Sequence, residues 1–311
     1  MRNVTVRQLQ IFAAAANAGS FARAAEGLHV SPAAISFQIK QIEDMSGFAM
    51  FERTGRAVTL TDAGRTLLEY ARRILQALQD SEQALLALRG VVSGRVTLGA
   101  VSTAKYIVPH VMARFQADYP GVSINLRFGN RQQIGEALEQ GEIDLAVMGE
   151  PASGADVVAI PFAAHPSVII AAPGHKLAGS THLTLTHLAA ERLILREDGS
   201  GTRILMERAC LAAGMAPRIG MTTDSNETIK QAVMAGMGIA VISRHTIGLE
   251  LALGLMVTLP VEGFPVMREW YVVHRRSMPL MPAHAKLQSF LQENGQIVID
   301  ELQSGYVSAA Q

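Results

Sequence analysis

From Asp62 to Arg89 the chain holds no proline and a single early glycine, Gly64, and Leu67, Ala71, Ile74, Leu78, Ser81, Leu85 and Leu88 recur at alternating four- and three-residue steps. This spacing puts all seven residues on one helical seam, the pattern of a coiled coil, and Thr61 stands where a cap is needed. An amphipathic helix folded back on its own domain would be spaced similarly. This seam, however, continues for roughly three heptads beyond what sixty preceding residues can cover. The run therefore divides the chain into a small body before it and a larger one after it, and it calls for a second copy of itself.

A chain of 311 residues agrees with that division, because one ordinary core does not organise so many. With 49% hydrophobic and 17% charged residues, both bodies are expected to pack rather than stay disordered. Lys plus Arg (27) cancels Asp plus Glu (27), so attraction to nucleic acid must come from a local patch. Residues 1–10 lack the apolar run of a signal peptide, and no stretch offers about twenty apolar residues, so a cytoplasmic location without membrane contact is expected. The single cysteine, Cys210, excludes an internal disulfide and reads as a buried thiol.

Ahead of the seam, Thr5 and Gln8 form a capping-box pattern, and Leu9, Phe12, Ala13 and Ala16 recur at helical spacing up to Gly19. Ser20 caps a second helix from Phe21 to about Glu26, and Gly27 supplies the permissive backbone of a tight turn ending at Val30. Ser31 and Pro32 then open a third helix, in which Ile35, Ile39 and Ile42 form the inward face before a stop at Ser46-Gly47. This is a helix-turn-helix, whose last helix enters the major groove. Its candidate DNA-contacting residues are Ser31, Pro32, Ala33, Ser36, Phe37, Gln38 and Lys40, which offer hydroxyl hydrogen bonds, apolar contact with a thymine methyl and an ammonium for phosphate. A merely solvated polar face would look the same on this helix alone. The next segment, Phe51 to Leu60, adds a short hairpin with Arg53, Thr54 and Arg56 at its tip, a wing that touches the DNA backbone. Residues 1–60 carry six bases against four acids, a modest surplus that a dimer would double. Paired reading helices imply double-stranded DNA with inverted half-sites about one turn apart.

Beyond a joint at residues 90–94 the pattern changes. Arg95 to Ala100, Val122 to Phe128 and Ile143 to Gly149 read as strands, separated by helices Ile107 to Tyr119 and Arg131 to Gln140. A second set follows, with strands Ser167 to Ala172, Leu193 to Arg196, Ile219 to Thr223 and Ile239 to Ser243 and helices Thr202 to Ala213 and Glu227 to Ala235. Strand Glu269 to His274 and helix Pro282 to Glu293 close the chain. Alternating strands and helices imply largely parallel sheets, here in two α/β lobes with a cleft at the strand ends. At those ends stand Ser102, Thr103 and Lys105, then Asn130 and Arg131, then Glu197, Gly199, Ser200, Gly201, Thr202 and Arg203, and finally Ser225 and Asn226. Free N–H groups at helix N-termini, small hydroxyl residues and nearby cations suit an anionic ligand. Ordinary helix capping uses the same Ser, Thr and Asn residues, so the argument rests on four such sites facing one cleft.

With these residues assembled, the chain resembles the LysR-type transcriptional regulators as far as about Asn294. The resemblance rests on Leu9-Gln-Ile-Phe12, Ser20-Phe-Ala-Arg-Ala-Ala25, Leu28-His-Val-Ser-Pro-Ala-Ala-Ile-Ser36, Phe51-Glu-Arg53 and Leu60-Thr-Asp-Ala-Gly64. Further along, Leu195 to Arg203, Ser225 to Lys230 and Arg268 to His274 are similar to the branch that controls carbon-fixation operons. The resemblance implies a homodimer assembling into a homotetramer on promoter DNA, and a small anionic metabolite such as a sugar phosphate in the cleft. Phe37 departs from the family, many of whose members carry a polar or basic residue there.

The expected organisation is a winged helix-turn-helix at 1–60, a dimerisation helix at 61–89, a hinge at 90–94, a two-lobed α/β domain like periplasmic binding proteins at 95–295, and a tail at 296–311. Lobe I takes about 95–165 and 268–295, and lobe II about 166–267. A transport solute-binding protein would share the lobes but not the helix-turn-helix or the missing signal peptide. Ser102-Thr-Ala-Lys105 matches the S-x-x-K spacing of acyl-serine hydrolases, yet its S-D-N and K-T-G companions are missing. H-E-x-x-H and G-x-x-x-x-G-K are missing too, so no catalytic residue, metal or cofactor is expected.

Overall fold

The computed structural model describes residues 3–54, 57–87, 92–152, 154–278 and 280–309. The chain forms two compact units, Met1–Arg89 and Gly90–Gln311. The first unit holds α1 (Val6–Ala18), α2 (Phe21–Leu28), α3 (Pro32–Ser46), the hairpin β1 (Phe51–Thr54) and β2 (Ala57–Leu60), and α4 (Asp62–Ala87). Both halves of the capping box form, Gln8 N–H donating to Thr5 Oγ1 at 3.2 Å and Thr5 N–H to Gln8 Oε1 at 2.9 Å. Ser31 Oγ accepts from Ala34 N–H, Pro32 opens α3 and Gly47 ends it at φ 76°.

The core of this unit is a cluster around Phe12, whose ring centre lies 5.5 Å from that of Phe51 and so ties α1 to the wing. On α1 the buried face is Leu9, Ile11, Phe12 and Ala15, with the expected Ala13 and Ala16 only half-buried. The strip is displaced because α1 packs on α2, α3 and α4 together. The turn before α3 also differs from expectation. Gly27 stays inside α2, and the left-handed position falls on His29 at φ 53°. On α4, Leu67, Leu68 and Ala71 join the core, whereas Ile74, Leu78 and Leu85 are 49%, 41% and 65% exposed. Leu88 lies outside the described residues.

The second unit begins with β3 (Gly94–Val101), α5 (Val108–Asp118), β4 (Val122–Gly129), α6 (Arg131–Glu139), β5 (Leu145–Met148) and β6 (Val157–Ala164). After β6 come β7 (Ser167–Ala171), β8 (Leu193–Arg196), α7 (Gly201–Ala212), β9 (Ile219–Thr223), α8 (Asn226–Met234), β10 (Ile239–Ser243), α9 (Gly248–Ala252) and β11 (Val257–Leu259). β12 (Glu269–Arg275) and α10 (Pro282–Ala309) complete it. The strands form two five-stranded sheets, ordered β4-β3-β5-β12-β6 and β11-β7-β10-β8-β9. These are the cores of lobes I and II, and the chain passes between them after β6 and again before β12.

The sheets are mixed rather than largely parallel. β3, β4 and β5 run parallel, as do β8, β9 and β10, but β12 is antiparallel to β5 and β6, and β7 to β10 and β11. The antiparallel strands are those next to the crossings, where the chain arrives from the other lobe and needs no helical crossover. β6 and β11 went unread in the sequence: the first carries Pro161 on a sheet edge, and the second has three residues. The expected tail from 296 is a continuation of α10, which seats Val298 and Ile299 in the lobe I core. No helix among the described residues is long and apolar enough to cross a membrane.

Two glycines of the first unit should respond oppositely to one added methyl. A Cβ on Gly64 would stand 2.1 Å from the carbonyl oxygen of Met50, so Gly64→Ala should destabilise this unit by at least about 2 kcal/mol. Gly27 has nothing within 4 Å of such an atom, and Gly27→Ala should stabilise it by roughly 0.5–1 kcal/mol. Urea denaturation followed by far-ultraviolet circular dichroism checks both signs.

Candidate functional site

On α3 the buried Ile35, Ile39 and Ile42 turn the other residues outward, leaving Ser31, Pro32, Ala33, Phe37 and Lys40 exposed and Ser36 and Gln38 half-buried. Phe37 is 59% exposed, a large apolar ring with no place in the core. β1 and β2 pair Phe51 with Leu60 and Thr54 with Ala57, forming the wing. Arg56 lies outside the described residues, and only the backbone of Arg53 and Thr54 is described.

In the second unit, the ends of the strands enclose a cavity of about 150 Å³. Of the residues expected there, Ser102, Thr103, Asn130, Arg131, Ser200, Gly201 and Thr202 line it. Arg131 reaches the first turn of α7. A Cβ placed on Gly201 would lie 3.6 Å from Arg131 Cδ and 3.9 Å from Arg268 Nη1, so two guanidinium-bearing side chains converge on one helix N-terminus. Among the described residues neither arginine has a carboxylate within salt-bridge distance. Arg131 donates to the Glu150 carbonyl at 3.0 and 3.2 Å, and Arg268 Nη2 to Ser167 Oγ at 2.7 Å. Burial, reinforced by the charge of Arg131, pulls the Arg268 guanidinium down to a pKa of about 10.

The other expected residues stand outside the cavity. Lys105 is exposed, its ammonium 5.4 Å from the ring centre of Phe128, while Ser102 Oγ accepts from Arg196 Nη2 at 2.8 Å. The S-x-x-K spacing thus gives no serine–lysine pair. Arg203 follows the inward Thr202 by about 100° around α7 and turns away, held by Asp198 at 3.1 Å and Glu207 at 2.7 Å. Ser225 caps α8, and Gly199 takes a left-handed φ of 80° against Gln132. Glu197 and Asn226 hold Arg196, whose Nε donates to Glu197 Oε2 at 2.7 Å and Nη1 to Asn226 Oδ1 at 2.8 Å. Arg196 is 3% exposed, and it joins lobe II to Ser102 of lobe I.

Sequence reasoning missed Glu150, His165, Arg196, Arg208 and Arg268. Arg196 ends β8, and the strand-end rule would have found it. His165 and Arg268 lie on the two crossings, which touch only once the lobes are assembled. His165 N–H donates to the Arg268 carbonyl at 2.7 Å, and Ser167 pairs with Val266 beside it. Behind them Trp270 Nε1–H donates to His245 Nδ1 at 3.1 Å. Burial depresses His245 to about 4, with Asp300 opposing and Arg244 adding, and it depresses His165 well below the usual imidazole range, aided by Arg268 and His245. No group of three or more His, Cys, Asp or Glu side chains that could hold a metal occurs among the described residues.

A small winged helix-turn-helix unit and a two-lobed unit with an interlobe cavity bordered by arginines define a ligand-responsive DNA-binding regulator. The family model for the bacterial regulatory helix-turn-helix protein, lysR family, matches residues 6–65, and that for the LysR substrate binding domain matches 89–296. The chain belongs to the LysR family of transcriptional regulators. The RuBisCO operon transcriptional regulator of Allochromatium vinosum is 43% identical over 93% of this chain and 96% of its own length. The HTH-type transcriptional regulator CfxR of Cupriavidus necator is 45% identical over 94% of this chain and 93% of its own. Among solved structures, the regulatory domain of CcmR from Synechocystis PCC6803, in complex with 2-phosphoglycolate, is similar with a TM-score of 0.63 and 35% identity, covering 65% of this chain and 97% of that one.

Two expectations follow from the buried groups. Arg196→Ala should destabilise the second unit by roughly 3 kcal/mol, because Glu197 keeps its charge and loses its partner. Scanning calorimetry should show this as a loss confined to the transition of that unit. His245 stays neutral in the fold and protonates near pH 6.5 once unfolded. Its contribution is therefore complete above pH 6.5 and is lost as pH falls toward 4, on the order of 3 kcal/mol for the shift to about 4. Melting temperature against pH should fall across that window, with a shallower slope in His245→Gln.

Proposed function

We propose that this chain controls a carbon-fixation operon, that it works in the cytoplasm as a homodimer assembling into a homotetramer on inverted-repeat promoter DNA, and that a small phosphorylated acid or sugar phosphate is its effector. The observation that carries the effector reading is the convergence of Arg131 and Arg268 on the N-terminus of α7, two cations without carboxylate partners beside free backbone N–H groups. Ser102, Thr103, Asn130 and Thr202 supply further polar groups around the same cavity. Lys105, Arg203 and Ser225 have roles outside direct ligand contact. The carbon-fixation reading is supported by the names of the relatives above and by the 2-phosphoglycolate in the CcmR regulatory domain. Dimerisation is supported by Ile74, Leu78 and Leu85, an apolar stripe left uncovered along α4. Effector-driven closure of the lobes then alters the spacing or bend between bound half-sites.

Isothermal titration of the full chain with 2-phosphoglycolate should show saturable binding, weakened about tenfold or more by Arg131→Ala. Absence of heat with 2-phosphoglycolate and with a panel of sugar phosphates would remove the effector reading. On the DNA side, the protein should retard its own upstream promoter fragment in a gel. Arg53→Ala should weaken binding to all sequences and flatten the salt dependence, whereas Ser36→Ala should relax base preference. The double substitution Ile74→Glu, Leu78→Glu should yield monomers by light scattering, and a dimer of undiminished stability would sink the α4 interface.

A further inference from the structure

The neighbourhood of Trp270 contains a buried polar side chain with no hydrogen-bond partner among the described residues. His165 is 2% exposed, borders the interlobe cavity and lies flat on the Trp270 indole, ring centres 3.6 Å apart and planes 13° apart. Among the described residues neither of its ring nitrogens has a hydrogen-bond partner, and neither has Nε of Arg268. Buried donors of this kind destabilise the protein that holds them, because folding strips their water and returns nothing. Trp270 covers the face of the imidazole, and both nitrogens on its edge are buried against the cavity wall. Two donors therefore stand without partners beside one small cavity, on the two segments that join the lobes.

We propose that His165 is a specificity-determining ligand residue, whose imidazole N–H, together with Nε of Arg268, grips an oxyanion of the effector at the crossing between the lobes. This rests on the reading of the cavity as the effector site and adds a contact that helix N-termini and arginines do not supply. Desolvation and the adjacent guanidinium of Arg268 keep the imidazole uncharged before ligand arrives, so it serves as a directional donor while the arginines supply the charge. His165 follows β6 and Arg268 precedes β12, and the backbone bond from His165 N–H to the Arg268 carbonyl holds the two crossings side by side, so one ligand oxygen can be held by both.

The test uses the full-length chain, 2-phosphoglycolate and inorganic phosphate as probes, and the fluorescence of Trp270, the chain's one tryptophan. His165→Phe preserves an aromatic ring against Trp270 and removes both nitrogens. It should bind 2-phosphoglycolate at least about tenfold more weakly by calorimetry while melting roughly 2 °C or more higher without ligand. His165→Gln, which restores an N–H, should recover most of the lost affinity. In the unsubstituted protein, saturating probe should change the Trp270 emission, a readout that stands even if a variant does not fold. Affinity unchanged in His165→Phe, or emission unmoved at saturation, overturns the role of His165 and leaves the effector site in place. Absence of binding to either probe in the unsubstituted protein overturns the effector reading and this inference with it.

Discussion

The second unit is organised around positive charge that the fold confines without neutralising. Arg131 comes from the start of α6 in lobe I, and Arg268 from the crossing segment just before β12, where the chain returns to lobe I. Both reach the first turn of α7 in lobe II, where backbone N–H groups add their own positive potential. Burial is the main cause of the depressed Arg268 pKa, and the nearby charge of Arg131 adds to it. Other cations in the same unit are treated differently. Arg196 is matched by Glu197, Arg203 by Asp198 and Glu207, and Lys230 by Glu227 and Glu250. Arg131 and Arg268 differ from these three in having no carboxylate partner among the described residues.

The paired cations also hold the cavity walls in place. Arg196 gives lobe II a buried bond to Ser102 of lobe I, and the Tyr106 hydroxyl donates to Glu227 across the same divide. Asn130 Nδ2 adds a longer bond to the Asp198 carbonyl at 3.4 Å. These contacts lie at the strand ends, beside the cavity rather than in the sheet cores. The cavity walls are thus oriented by neutral or charge-compensated groups.

Local patterns carried most of what the sequence revealed. The Thr5–Gln8 box, the Ser31-Pro32 opening of α3 and its isoleucine face depend on neighbours within four residues, and the structure has them as read. Gly27 misled because glycine is only permissive: a helix tolerates it, and His29 took the left-handed turn instead. In the cavity, residues at strand ends with small polar side chains were legible, Ser102, Asn130 and Thr202 among them. Arg203 was not, because one step around a helix decides whether a side chain meets a ligand or a neighbouring carboxylate. His165 and Arg268 are separated by a whole lobe of sequence, and only the paired crossings bring them together. No periodicity encodes such a meeting.

The length of α10 bears on how the lobes move. Its first turns are embedded in lobe I, with Phe290 edge-on to Phe115 and Gly295 so close to Phe162 that no side chain would fit. Its far end reaches lobe II, where the Tyr306 ring fills the space above Gly248 at the start of α9. One continuous rod is thus fastened to both lobes. Any change in the angle between the lobes would have to bend that rod or slide Tyr306 across its seat, so α10 is a brace laid across both.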